Sequence, residues 1–159
     1  MEYCSKGDLF DNLSTCGALP APVANGLFCQ VLTAVDCLHS KLEVAHLDLK
    51  LENVLLCEDF TVKICDLGFS QSVYDRVFKR AGTDGYKAPE IESPEGYYGV
   101  KADIFSLGVM LFTLHFGVPP FTSCDDRLYK LLSFRSNAGE PKASLRFFIK
   151  AHPSTKDSE

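Results

Sequence analysis

Residues 46–68 read HLDLKLENVLLCEDFTVKICDLG, and this stretch decides the fold. Within it, two short apolar runs, Val54–Leu56 and Val62–Ile64, flank a polar turn at residues 58–60. Short β-prone runs separated by such a turn are typical of a β-hairpin. The sequence therefore predicts a small hairpin with chemically active side chains at both of its ends.

Those side chains suggest a site that handles phosphate. A hairpin brings its flanking residues together, so Asn53 and Asp66 should be neighbours, and their oxygen atoms are of the kind that Mg²⁺ prefers. Asp48 precedes Asn53 by five residues and would lie near the metal with a carboxylate able to orient a hydroxyl group. Lys50 adds a point charge suited to a phosphate.

Helices are predicted on both sides of this stretch. Apolar residues at three- and four-residue steps behind a proline predict an amphipathic helix over 22–41. Residues 102–116 are apolar on nearly every side, which predicts a helix that protein encloses all round. Weaker helical patterns cover 127–134 and 144–151. Glycines and prolines punctuate residues 66–99, and a loop of that length indicates function.

Composition limits the class of protein. The chain has 159 residues, 46% hydrophobic and 23% charged, which fits one globular domain or part of one. A net charge of −5 without a basic stripe argues against a nucleic-acid partner. No signal peptide is evident. The most apolar segment, 104–118, is shorter than the ~20 residues of a membrane span, so we expect no membrane partner.

Seven cysteines occur in the chain, an odd number without a C-x-x-C pair, at positions 4, 16, 29, 37, 57, 65 and 124. This pattern fits neither a disulfide framework nor a zinc site. We interpret the cysteines as reduced thiols that fill the core, with Cys29 and Cys37 near the apolar face of the first long helix. A cytoplasmic or nuclear location follows as an expectation.

Taken together, the motifs resemble those of the C-terminal lobe of a eukaryotic protein kinase of the serine/threonine type. The family elements H-R-D-L-x-x-x-N, D-F-G and A-P-E are matched in order by residues 46–53, 66–68 and 88–90. Gly82-Thr83, and Asp103 with Gly108, extend the resemblance. Lys50 is typical of the serine/threonine branch.

The resemblance implies a mainly α fold with a small β-hairpin, α+β overall, in which the N-terminal lobe is absent. The chain would be a single partial kinase domain over 1–159. Its parts would be a hinge at 1–8, a catalytic loop at 46–53, a metal motif at 66–68, an activation segment at 66–90 and a buried helix at about 102–116.

The resemblance also implies roles in transfer of the γ-phosphate of ATP to a protein serine or threonine. Asp48 would take the substrate hydroxyl proton, and Lys50 would contact the transferred phosphate. Asn53 and Asp66 would hold Mg²⁺. Asp103 matches the helix residue that braces the backbone of the catalytic loop, whereas His46 is expected to pack rather than react.

Nucleotide contacts follow from the same resemblance. The carbonyl of Glu2 and the amide of Cys4 would pair with adenine, and Asp8 would lie near the ribose. Leu55 would lie under the adenine ring, and the Cys65 sulfur would face the nucleotide pocket. On the substrate side, Glu52 matches a position that often meets an arginine, so we expect a protein substrate that is basic around its target residue.

The sequence departs from the family pattern at several points. Leu47 replaces the arginine that would hold an activation-loop phosphate, and Leu67 replaces the phenylalanine of D-F-G as an apolar plug. The 159 residues contain no Gly-rich loop and no V-A-I-K strand, and we expect Glu90 to lack its usual arginine partner.

These departures keep other functions open. One alternative is a catalytically silent module that uses the kinase-like lobe for binding or as a scaffold. A phosphatase or other metal hydrolase built on Asp48 and Asp66 is a third, although the histidines typical of such sites are missing. The sequence upstream of Met1 would discriminate between enzyme and scaffold.

Overall fold

The computed structural model describes residues 3–121. The predicted helical segments 127–134 and 144–151, together with Met1, Glu2 and Cys124, lie outside the described residues. Three α-helices form most of the described part: α1 (Leu9–Cys16), α2 (Ala21–Ser40) and α3 (Gly99–Phe116). Six short strands accompany them: β1 (Val44–Ala45), β2 (Val54–Leu56), β3 (Val62–Ile64), β4 (Gln71–Ser72), β5 (Arg76–Val77) and β6 (Tyr97–Tyr98).

Helix α2 confirms the amphipathic helix predicted over 22–41. Pro20 and Pro22 stand at its start, where a missing backbone N–H costs nothing. Its buried side chains recur on one face and include Ala24, Val31 and Val35. This face packs against α3 and the hairpin, so α2 forms one wall of the core behind the candidate site.

Helix α1 was not predicted, because eight residues are too few to show a clear period. Its signals are local: the Asp8 side chain accepts a hydrogen bond from the Asp11 amide at 2.8 Å and caps the helix. Gly17 ends it with φ 72°. Leu9 and Leu13 are buried one turn apart, and they anchor α1 against the same core.

Helix α3 begins three residues before the predicted helix. Gly99 permits this start, since a Cβ there would lie 2.6 Å from the Cβ of Ala45. One face of α3 is buried, but Ile104 is 58% and Phe116 is 47% exposed. Within residues 3–121, the expectation that protein encloses this helix all round is therefore wrong. By length and composition alone, both α2 and α3 could cross a membrane, and half of α3 is buried inside the protein.

The predicted hairpin is confirmed as the antiparallel pair β2–β3, in which Val54 faces Ile64 and Leu56 faces Val62. Two further antiparallel pairs involve the predicted loop 66–99. Strand β4 of the loop pairs with β1, which precedes the catalytic loop, and β5 pairs with β6 at the end of the loop. Through them the activation segment is attached to the body of the protein at several points.

The buried apolar residues form two main groups. The larger lies between α1, α2, the hairpin and α3 and includes Leu51, Met110 and Leu114. The second, here called the Leu47 cluster, connects the catalytic loop to the activation segment and the start of α3. It comprises Ala45, Leu47, Val77, Ala81, Ala88, Ile91, Tyr97 and Ala102.

The six cysteines that the structure describes are not core residues. None of the six in the described part is fully buried: Cys16 and Cys29 are exposed, while Cys4, Cys37, Cys57 and Cys65 are half-buried. The interpretation of the cysteines as core filler is therefore wrong for these six. The larger core is filled mainly by leucine and valine.

Candidate active site

Asp103 on α3 holds the start of the catalytic loop. Its carboxylate accepts the backbone N–H groups of His46 and Leu47, both at 2.8 Å. A third contact, at 2.7 Å, joins it to Nε2 of His39 on α2. Asp103 is 1% exposed, so its charge is balanced by these donors rather than by water. The predicted brace is confirmed, and Leu47 is held in the left-handed conformation with φ 69°.

The ring of His46 connects the catalytic loop to the end of β3. Its Nδ1 accepts the Asp48 backbone N–H at 3.2 Å, and Nε2 lies 2.9 Å from the carbonyl oxygen of Cys65. These partners assign the proton to Nε2, which then donates to Cys65. Because the ring is fully buried and both nitrogens are engaged, His46 has the packing role that was expected.

Asp48, Lys50 and Thr83 form a closed polar triangle. Thr83 Oγ1 donates to Asp48 Oδ1 at 2.7 Å and accepts from Lys50 Nζ at 2.9 Å. Lys50 Nζ also lies 3.1 Å from Asp48 Oδ2. The two residues predicted from the catalytic loop thus come together. Thr83, which closes the triangle, was noted in the sequence only as part of a motif and was given no role.

Asn53 joins this triangle to the metal motif. Its Nδ2 donates to the carbonyl oxygen of Asp48 at 2.8 Å and reaches Asp48 Oδ2 at 3.4 Å. The carbonyl oxygen of Asn53 accepts a hydrogen bond from the Cys65 amide at 3.0 Å. Asp66 is the residue that follows Cys65, so it comes directly after this contact with Asn53. The predicted proximity of Asn53 and Asp66 thus follows from the hairpin.

The donor set fits Mg²⁺. The Asn53 amide nitrogen is engaged by Asp48, which leaves the amide oxygen as its ligand atom. Asp66 is exposed with φ 62°, and its Oδ1 accepts the Gly68 amide at 3.1 Å. Residues 3–121 contain no group of three His, Cys, Asp or Glu side chains able to hold a metal. Mg²⁺ is commonly bound by one or two protein oxygens together with water and substrate phosphates, so a two-residue set is adequate.

The residues predicted to contact the nucleotide lie along one edge of the hairpin. Asp8 pairs with Leu55 as an isolated antiparallel bridge. Burial raises the pKa of the Cys65 thiol, and the charges of Asp66, Cys4 and Asp8 raise it further. Cys4 and Asp8 thus lie near enough to Cys65 for their charges to affect its pKa. Glu2 lies outside the described residues.

Glu52 is an unusual group beside the loop. Its Oε2 is buried and has no hydrogen-bond partner among the described residues. Burial, and then the charge of Glu52, raise the pKa of the neighbouring Tyr86 to about 12. A buried carboxylate oxygen without a partner is costly, so this position would gain from a cation.

The start of the activation segment is exposed, whereas Leu47 of the catalytic loop is buried. Leu67, expected to be an apolar plug, is 47% exposed, and Lys79 Nζ lies 5.4 Å above the ring of Phe69. Leu47, in contrast, is 5% exposed within the Leu47 cluster. Leu47 therefore places a buried apolar side chain at the position where the arginine of the family motif would place a charge.

Comparison with known proteins supports the motif assignment. Residues 1–146 match the protein kinase domain family. The chain is 42% identical over 130 residues to serine/threonine-protein kinase SRK2G of Arabidopsis thaliana, which covers 79% of this chain and 36% of that protein. Serine/threonine-protein kinase SAPK3 of Oryza sativa subsp. indica is 41% identical, and the match covers 79% of this chain and 39% of that protein. CBL-interacting protein kinase 15 of Oryza sativa subsp. japonica is 42% identical over 126 residues, which cover 76% of this chain and 29% of that protein. The chain thus spans about a third of the length of these relatives.

Proposed function

Since this chain belongs to the protein kinase family, we propose that it is the C-terminal lobe of a serine/threonine kinase. The parent enzyme would transfer the γ-phosphate of ATP to serine or threonine hydroxyls of proteins. The single observation that carries this proposal is the Asp48–Lys50–Thr83 triangle, with Asn53 bonded to Asp48. It combines a proton acceptor, a cation and a metal-ligand oxygen within one loop.

Each group has a distinct task in this proposal. The Asp48 carboxylate orients the substrate hydroxyl and accepts its proton as the new oxygen–phosphorus bond forms. Lys50 balances negative charge on the transferred group. Asn53 and Asp66 would hold Mg²⁺, which when bound neutralises the phosphates of ATP. Thr83 positions Asp48 and Lys50 relative to each other.

The nucleotide would lie along the hairpin edge. The backbone amide of Cys4 pairs with adenine in this proposal, and Asp8 lies near the ribose. Leu55 and Cys65 line the side of the adenine ring. The Asp8–Leu55 bridge supports this placement. Glu2 completes the adenine contacts by family resemblance.

Activity is tested in a chain that carries an N-terminal lobe, for example one grafted from the Arabidopsis SRK2G kinase. We expect phosphorylation of a mixed peptide library, and a loss of about 10²–10⁴-fold in Asp48→Asn, since the proton acceptor is removed. Asp59→Asn is the matched control, because Asp59 lies in the exposed hairpin turn. The 159-residue chain alone should show little turnover, as the groups that position ATP in the family precede the hinge.

The competing function is a catalytically silent scaffold. A folded chimera without peptide phosphorylation, or one whose activity is the same in Asp48→Asn as in the unmodified chain, would favour the scaffold and reject the kinase. The sequence upstream of Met1 gives a second test. A G-x-G-x-x-G loop and a V-A-I-K-like strand there favour the enzyme.

Substrates basic around the target residue are the second part of the proposal. Glu52, which is half-buried beside the catalytic loop, supports it, because the accessible part of its side chain can meet an arginine of the substrate. A charge pair of this kind contributes about 0.2–1 kcal/mol at an accessible rim. Glu52→Gln should therefore lower the preference for arginine-containing peptides by less than about fivefold. Glu58→Gln is the control, and equal turnover of basic and acidic libraries by the unmodified protein would contradict the proposal.

A reducing cellular location, cytoplasmic or nuclear, is also proposed. The six cysteines of the described part form no disulfide, which supports it. Localisation of a fluorescent fusion of the full parent would test it, and a secreted parent would contradict it.

A further inference from the structure

Two thiols from distant parts of the chain meet beside the hairpin. The Sγ atoms of Cys4 and Cys57 lie 3.7 Å apart, although 53 positions separate the residues in sequence. Both residues are half-buried, so they are sheltered yet within reach of a small reagent. Neither thiol has a task in the proposed phosphoryl transfer.

The backbone on both sides fixes this contact. The Lys6 amide donates to the Leu56 carbonyl at 3.2 Å, and the Leu56 amide donates to the Gly7 carbonyl at 2.9 Å. Side chains add to the attachment: Ser5 Oγ donates to Glu58 Oε2 at 2.7 Å, and Lys6 Nζ lies 3.6 Å from Glu58 Oε1. The two sulfurs are therefore held together by neighbours that pair independently of them.

We propose that Cys4 and Cys57 are a reversible oxidation site that closes to an intrachain disulfide in the presence of a hydroperoxide. A disulfide needs a sulfur–sulfur distance of about 2.0 Å, so the thiols must approach by about 1.7 Å. Rotation about the Cα–Cβ bonds is the simplest way to achieve this. The backbone pairing around Leu56 can then persist.

Oxidation of the two thiols by the hydroperoxide proceeds in two steps. One thiolate attacks the peroxide oxygen, which gives a sulfenic acid and releases an alkoxide or hydroxide that takes up a proton. The second thiolate attacks the sulfenic sulfur, the sulfur–sulfur bond forms, and hydroxide leaves and is protonated to water. Two thiols lose two electrons and two protons, and the hydroperoxide is reduced to an alcohol or water plus a second molecule of water.

A third thiol, Cys65, provides the competing pairing. Its Sγ donates to the Asn53 carbonyl at 3.6 Å, whereas the Sγ of Cys4 lies 3.7 Å from that of Cys57. This sulfur–sulfur contact supports Cys57, rather than Cys65, as the partner of Cys4.

The position gives the site a regulatory meaning. Cys4 is the proposed adenine contact, so a disulfide there would lie at the border of the nucleotide pocket. This meaning rests on the proposed function, whereas the disulfide itself does not. Its formation is measured by mass and not by phosphorylation, so failure of either idea can be recognised separately.

The test uses the full 159-residue chain, purified reduced and titrated with hydrogen peroxide. Remaining thiols are alkylated, and the digested protein is mapped by mass spectrometry. We expect a linked Cys4–Cys57 peptide pair to dominate and dithiothreitol to reverse it. Closing a loop of 53 positions should raise the melting temperature by about 10 °C.

Variants and an unfolded reference make the result decisive. Cys4→Ser and Cys57→Ser should each abolish the link and the rise in melting temperature, whereas Cys29→Ser, an exposed control, should keep both. Oxidation in concentrated urea should give mixed pairings. The same mixture under native conditions, a dominant Cys4–Cys65 link, or sulfinic acids without any link would overturn the proposal.

Discussion

The catalytic loop and the metal motif differ in how firmly the protein holds them. Asp48 is 5% exposed and has hydrogen bonds to Thr83 and Asn53. Asp66 is exposed, and within the described residues its carboxylate accepts a hydrogen bond from the amide of Gly68, two residues away. The half of the site that faces the substrate hydroxyl is organised by the chain itself. The Asp66 carboxylate, which would meet the metal, is positioned by a local turn.

The physical origin of this difference lies in α3. Asp103 satisfies two backbone N–H groups of the catalytic loop from the middle of the core, so that loop cannot move without exposing buried donors. Between Asp66 and Ser70 the backbone makes short-range turns, such as the Ser70 amide to the Leu67 carbonyl at 3.1 Å, before β4 pairs with β1. Firm positioning therefore follows from contact with a buried helix, and the metal motif lacks such a contact.

The largest expected effect is a loss of folding stability in Asp103→Asn that Asp66→Asn does not share. The first places an amide NH₂ against buried N–H donors and should lower the free energy of unfolding by about 3 kcal/mol. The second alters an exposed turn in which asparagine also adopts positive φ, and should change it by less than about 0.5 kcal/mol. Urea denaturation of both variants and the unmodified chain measures the effect. Equal losses would show that the two regions are held alike.

A smaller effect concerns Tyr86, which packs against the core beside Glu52. Its pKa is about 12 in the folded state, against 10 for the ordinary group. The folded state thus retains a proton that the unfolded state loses, so the stability present below pH 10 is lost as the pH rises through 12. The loss should reach up to about 2–3 kcal/mol.

This loss is measured by comparing unfolding free energies at pH 8 and pH 11.5. Tyr86→Phe should lose less stability between the two pH values than the unmodified chain does. Tyr3→Phe, at a site that is 85% exposed, serves as the control and should behave like the unmodified chain. The same alkaline loss in Tyr86→Phe as in the control would mean that Tyr86 is not held neutral by the core.

The smallest expected effect concerns phosphorylation of the activation segment in the parent enzyme. Leu47 cannot bind a phosphate, and Lys79 occupies the position three residues before Gly82 where the family often carries its phosphorylation site. The segment is instead attached through the Leu47 cluster. We expect phosphatase treatment to change the turnover rate by less than twofold. Loss of activity on treatment, restored by rephosphorylation at Ser70, Ser72 or Tyr74, would contradict this.

Much of the fold could be predicted where the pattern was local. Helix α2 and the β2–β3 hairpin show their period within one segment. The same holds for the chemistry of Asp48, Lys50 and Asn53, which follow one another in one short loop. Their positions in the structure agree with the prediction, while the roles themselves stay predictions.

Other features depend on partners far along the chain. Strand β1 pairs with β4 across 28 positions at Val44 and Ser72, and two residues carry no readable period. Thr83 meets Asp48 across 35 positions and His39 meets Asp103 across 64. No spacing rule reveals such contacts. The prediction that protein encloses α3 on every side was wrong for a different reason. Apolar composition alone does not show which face of a helix is covered.

The Leu47 cluster has a further consequence, for temperature and ionic strength. Where a kinase-like lobe fixes its activation segment with an arginine and a phosphate, added salt screens the attachment. Here Leu47, Val77 and Ile91 are packed by hydrophobic contact, which salt screens little and which weakens on cooling. The segment should therefore stay attached in concentrated salt and loosen first in the cold.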